Sequence, residues 1–161
     1  MTMDCQQLQD VIVRPTLIAL GQWSLSAVNL LLGTCAQESQ MGKYLVQQKI
    51  GMRGGIGIYQ MQAPAFNTTW DRMISSNMLM RQKLFNLLGY SVKPQPERLA
   101  SDLLLATAMC RLYYLAINVA LPQPDDINGL AHYWKIYYNS PIGSGTTAEF
   151  VENYKNYVSQ V

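Results

Sequence analysis

A mainly α fold is what this chain predicts: short and medium helices around one long buried helix, with a small Gly-rich loop or β-hairpin between two of them. Three observations carry that prediction. From Pro15 to Gln37 no residue is charged, yet Gln22, Ser24, Ser26, Asn29 and Thr34 interrupt the apolar run. That pattern suits a helix buried in a soluble core better than a membrane span. From Arg98 to Asn118, Leu99, Leu103, Ala106, Cys110, Tyr113, Tyr114 and Ile117 recur at helical spacing and form an apolar stripe. Glycine and proline gather between the periodic segments, where they read as loops.

Taken in order, the first helix covers Cys5 to Leu20, with Val11, Leu17 and Leu20 at apolar spacings and Pro15 as a kink or split point. Ser24 is an N-cap for a second helix ending at Glu38. Leu25, Val28, Leu31, Leu32 and Cys35 mark its buried face, and the small residues Gly33-Thr34-Cys35-Ala36 allow a close neighbour. Gly42 stops it. Lys43 to Met61 reads as loop, with some strand character at Ile56-Gly57-Ile58-Tyr59. Thr68 or Thr69 caps the next helix, through Trp70, Met73, Met78, Leu84 and Leu88 to Gly89. Ser75-Ser76-Asn77 weakens its middle and leaves open two helices there. The Arg98–Asn118 helix and a helix from Ile127 to Tyr138 follow. Thr146-Thr147-Ala148-Glu149 fits a capping box opening a last helix to about Val158.

Length and composition limit the rest. With 161 residues, the chain suits a single domain over 1–161. It is 49% hydrophobic and only 14% charged, which argues against disorder. A net charge of +2 with scattered cations (Arg53, Arg72, Arg81, Lys83, Arg98, Arg111) does not build a nucleic-acid patch, and a solvated surface is the expectation for each. The single histidine, His132, excludes multi-histidine zinc sites and reads as a packing or surface residue. The three cysteines, Cys5, Cys35 and Cys110, contain no C-x-x-C pair. Cys35 and Cys110 read as buried small hydrophobes of a chain made in a reducing compartment. The polar N-terminus shows no signal-peptide pattern.

Chemistry concentrates at three patches. Glu38 ends an apolar helix, where desolvation raises a carboxyl pKa and keeps a proton available near neutral pH. Such an acid can protonate a glycosidic oxygen. The bland alternative is a solvated glutamate at a helix end. Gly54-Gly55-x-Gly57 lets backbone approach a ligand, and Gln60 adds an amide. The run Tyr133-Trp134-Lys135-Ile136-Tyr137-Tyr138-Asn139 offers rings to stack on sugars and groups to bond hydroxyls. Helical spacing sends part of that run into the core.

In this order the patches resemble the lytic transglycosylase and goose-type lysozyme-like superfamily. They are Glu38-Ser39-x-x-Gly42, then Gly57-x-Tyr59-Gln60-Met61 with Pro64, then Tyr138-Asn139. The chain looks most like small virion-associated, transglycosylase-like proteins of tailed phages. The resemblance implies a lysozyme-like fold with Glu38 as catalytic acid. Gln60 matches the glutamine of the family's Gly-Leu-Met-Gln turn, with Tyr59 in place of its methionine. Tyr138 matches a tyrosine that holds glutamate and substrate, and Asn139 follows it. Ser39, Gly57, Tyr59, Gln60, Trp134, Tyr138 and Asn139 are the expected substrate-binding residues. Ser140-Pro141 stands where the family has alanine-glycine, and the segment from Glu38 to Gln60 is longer than usual.

The implied activity is cleavage of the β-1,4 bond between N-acetylmuramic acid and N-acetylglucosamine in peptidoglycan, without metal or cofactor. The implied setting is a phage particle, made in the host cytoplasm and acting on the periplasmic wall. Its partners would be a glycan strand and other virion proteins of tail or baseplate, with no nucleic acid and no membrane insertion. Two alternatives stay open. One is a muramidase using a second carboxylate, for which Asp71, Asp125 and Asp126 are candidates. The other is a catalytically silent, lysozyme-like structural protein of the virion, which low charge and many Met and Tyr residues would suit.

Overall fold

The structure, a computed structural model, describes residues 2–46 and 54–158. It is mainly helical, with no strand among the described residues. The first run, α1, joins a turn Cys5–Gln7, a π-helical stretch Leu8–Val13 and an α-helical stretch Arg14–Leu20. Pro15 neither kinks it off nor splits it. Proline cannot donate and crowds the carbonyl four residues back, here Val11; the wide π turns just ahead accommodate it. Val11 is exposed, and Val13 takes the buried position four residues before Leu17.

Helix α2, Leu25–Ser39, is the buried centre. Ser24 caps it as expected, accepting from the Ala27 N–H at 3.1 Å. Leu25 is exposed on the first turn instead of buried, while Val28, Leu31, Leu32 and Cys35 are buried. The helix packs on α1 and on the later helices Leu103–Leu115, Ile127–Trp134 and Thr147–Tyr157. Gly33 is needed for the last of these contacts: a Cβ there would collide with the Phe150 and Tyr154 rings. The close neighbour of the small-residue run is thus a pair of aromatic side chains.

The middle of the chain starts earlier than the threonine caps suggested. Helix α3 is Ala63–Trp70, continued by a π stretch Asp71–Ser75. Pro64 sits in its first turn, where a missing N–H costs nothing. Thr69 is buried inside the helix. Of the two readings, the divided one is right. Asn77 accepts from the Met80 N–H at 3.0 Å and starts α4, Met78–Leu88, which Gly89 ends in a left-handed conformation.

The Arg98–Asn118 segment also divides. A 3-10 turn, Pro96–Ala100, precedes α5, Leu103–Leu115, because Asp102 caps the Leu105 N–H at 2.9 Å. Every residue from Leu105 to Leu112 is buried, Arg111 among them. Helix α6, Ile127–Trp134, continues as a π stretch, Lys135–Asn139. Helix α7, Thr147–Tyr157, opens on the expected capping box of Thr146 and Glu149.

Buried apolar side chains from all these helices form one cluster. All three cysteines are free and lie within it. Burial, first of all, pushes the Cys5 thiol up to about 11 and the Cys35 thiol up to about 12. No helix among the described residues is long and apolar enough to cross a membrane. His132 is exposed, as are Arg72 and Arg98, whereas Arg53 lies outside the described residues.

Candidate active site

Glu38 stands in the last turn of α2, half-buried at the wall of a cleft of about 510 Å³. Three left-handed residues follow the helix: Gln40 (φ 50°), Met41 (φ 56°) and Gly42 (φ 80°). They turn the chain sharply away and leave Glu38 at the rim. Ser39, one residue on, is fully buried. Its hydroxyl donates at 2.7 Å to the Ile58 carbonyl and accepts at 2.9 Å from the Gly42 N–H. It therefore ties the end of α2 to the Gly-rich turn.

That turn is short. Ile56 and Met61 exchange two backbone hydrogen bonds, at 3.0 and 3.1 Å, and enclose Gly57-Ile58-Tyr59-Gln60. Ile58 and Tyr59 are both buried, which a half-exposed strand would not allow. Gly57 has φ 76°, and any side chain there would strike the Leu99 carbonyl. Its requirement is close backbone packing on that residue. Gln60, with φ 48°, turns back toward the cleft. Its amide nitrogen donates to the carbonyls of Gly57 at 2.8 Å and Tyr44 at 3.2 Å.

The opposite wall comes from α5 and the end of α6. The indole N–H of Trp134 donates to Glu38 Oε1 at 2.8 Å. Trp134 itself is buried, tilted against Phe150 at a ring separation of 5.4 Å. The Tyr138 hydroxyl donates to the Tyr59 carbonyl at 2.7 Å and so links α6 to the turn. Its ring lies in a cluster with Tyr113 and Tyr114, at centroid separations of 5.2 and 5.3 Å. Lys135 clamps the following loop, donating to Asn139 Oδ1 at 2.8 Å and the Gly143 carbonyl at 2.7 Å. Ser140, on the cleft wall, has φ 75° and ψ 152°, a region that side-chain-bearing residues avoid.

The electrostatics follow from this enclosure. Desolvation raises the Glu38 carboxyl to about 7, against a smaller lowering by the Trp134 hydrogen bond. A group titrating there supplies both a proton and, once ionised, a base at neutral pH. Burial, then Cys110 and Glu38, hold the Tyr138 phenol well above its ordinary value, so it stays a neutral donor. Asp71, Asp125 and Asp126 do not line the cleft. Asp71 pairs with Lys93 at 3.4 Å, and Asp126 caps α6 through the Gly129 N–H at 2.9 Å. Glu38 is the one carboxylate in the lining among the described residues, and residues 47–53 contain no Asp or Glu that could add another.

The structure thus gathers Glu38, Gln60, Tyr138 and Asn139 around one cleft. Ser39, Gly57, Tyr59 and Trp134 stand behind its wall, where they position the lining residues and make no part of the open surface. Trp134, expected to stack on sugar, instead holds the acid. Tyr138, expected to hold the acid, holds the turn. Sequence reasoning missed Gln62, Tyr113, Ser140 and Ser144 in the lining. Tyr113 reads as part of the α5 stripe, and only its place at the edge of that stripe hints otherwise. Set against known proteins, the chain matches no family model, no curated protein and no solved structure.

Proposed function

We propose that this protein is a peptidoglycan lytic transglycosylase with a lysozyme-like fold, carried by a phage particle. One observation carries the reading: a lone carboxyl held near neutrality at the wall of an open polar cleft. Glu38, protonated, delivers its proton to the β-1,4 glycosidic oxygen between N-acetylmuramic acid and N-acetylglucosamine. As the bond breaks, the substrate's own acetamido group supports the cationic carbon. Glu38, now ionised, takes the proton from the muramoyl C6 hydroxyl, which closes the 1,6-anhydro ring. Acid and base are the same residue, so a single carboxylate suffices. A direct hydrolase ordinarily needs two, about 5 to 9.5 Å apart. Gln60, Tyr113 and Asn139 line the same cleft and can bond hydroxyl and acetamido groups of the strand.

The test uses the purified chain and cell-wall sacculi. Wild type is expected to release muropeptides with anhydro ends, read by mass spectrometry, and Glu38→Gln to release none. Reducing ends would mean hydrolysis instead. Sacculi left intact, where a control enzyme digests them, would overturn catalysis and leave a structural role in the virion.

A further inference from the structure

Arg111 is the cation that the sequence reading placed on the surface, and it lies inside the protein. It is 8% exposed. Burial lowers its pKa from the ordinary guanidinium value, and no Asp or Glu opposes that. Its one hydrogen bond among the described residues runs from Nη2 to Gln22 Oε1 at 3.2 Å, a neutral acceptor. Nε is buried and has no partner. A guanidinium carries five N–H donors, and a buried cation without a counter-charge is costly. Gln22 meets one of these donors, and Nε is left unmet.

Beside it is a cavity of about 230 Å³ lined by Arg111, Tyr114, Leu115, Asn118, Val119, Ala120 and Leu121. It shares no lining residue with the cleft. Arg111 and Tyr113, which lines the cleft, are two positions apart on α5, about 200° around the axis. The Tyr133 hydroxyl fixes the cavity rim by donating to the Val119 carbonyl at 2.9 Å, and the Tyr114 hydroxyl is occupied with Thr34 at 2.8 Å. The cavity therefore offers one positive charge without a counter-charge, no second cation, and walls that combine polar groups with the apolar side chains of Leu115, Val119, Ala120 and Leu121.

We propose that this cavity is a binding site for a small organic carboxylate, with the anionic head on Arg111 and a short apolar tail against Leu115, Val119 and Leu121. Planar carboxylate suits the guanidinium fork. A phosphate, with nearly two charges, would ask for more donors than a single arginine brings.

Propionate is the probe. In wild-type protein, the Arg111 Nε–H resonance is expected to shift saturably on titration with propionate, against sodium chloride at matched ionic strength. The melting temperature should rise with it. Arg111→Met, similar in length and uncharged, should lose the melting-temperature response. An Arg111 signal unmoved by propionate would overturn the proposal, and so would an equal thermal response in the methionine variant. Phosphate moving the signal where propionate does not would overturn the carboxylate assignment. The resonance is read in wild type, so the outcome stands even if the variant fails to fold. Neither readout depends on wall cleavage.

Discussion

Glu38 is an acid whose ionisation the fold resists. A carboxyl raised from 4.5 to about 7 binds its proton more tightly in the folded than in the unfolded chain. The contribution to stability is complete below about pH 4.5 and is lost as pH rises through about 7. At one pKa unit per 1.36 kcal/mol, the loss amounts to roughly 3 kcal/mol. Glu38→Gln keeps an acceptor for the Trp134 N–H but cannot ionise. Denaturant unfolding should therefore find the variant equal to wild type near pH 4 and more stable above pH 7, by up to that amount. A difference constant across pH would contradict the burial of Glu38. Trp134 works against this burial, because its hydrogen bond favours the ionised form. For the proposed wall-cleaving activity, Trp134→Phe should move the alkaline limb of the pH–rate profile to higher pH. A mere loss of packing would lower the rate without moving the limb. Glu38 was legible because it ends an uncharged stretch and is followed in order by the Gly57–Gln60 turn and the Tyr138-Asn139 pair. Its partner was not. Trp134 reaches Glu38 across 96 residues of chain, and no local pattern encodes that distance.

At the level of elements, the loop after α6 bears the clearest strain. Ser140 precedes Pro141, and a residue before proline favours extended backbone with negative φ. Instead Ser140 takes φ 75°, ψ 152°, in territory that is nearly glycine's alone. Lys135 holds the loop from outside through Asn139 and Gly143. Ser140→Gly should stabilise the protein by about 1 kcal/mol, seen as a higher denaturation midpoint with an unchanged slope. A destabilised variant would show that this backbone is not strained. Helix ends were the most readable elements. Ser24, Gly89 and the Thr146–Glu149 box act as their chemistry predicts. The break at Asn77 was foreshadowed by Ser75-Ser76-Asn77, whereas the break at Asp102 uses the same capping chemistry inside a continuing apolar period that hides it. The π stretches were invisible, since a 3.6-residue template cannot register a wider turn. Two of them matter here. One lets α1 run through Pro15, and the other re-aims Tyr138 and Asn139 toward the cleft.

Across the whole molecule, α2 sets the geometry. It contacts α1, α5, α6 and α7 and ends where the turn and the opposite wall meet. The sequence made its burial plain through the uncharged stretch. It could not show that α5 is wrapped on almost every side, so that Arg111, expected at the surface, ends in the core beside its own cavity. The enclosure of the thiols has a consequence of a different kind. Cys5, Cys35 and Cys110 are buried, free and held protonated. The native surface therefore presents no thiolate to an oxidant and no sulfur through which two copies could cross-link. A protein built this way can meet an oxidising environment in its native state without forming a disulfide.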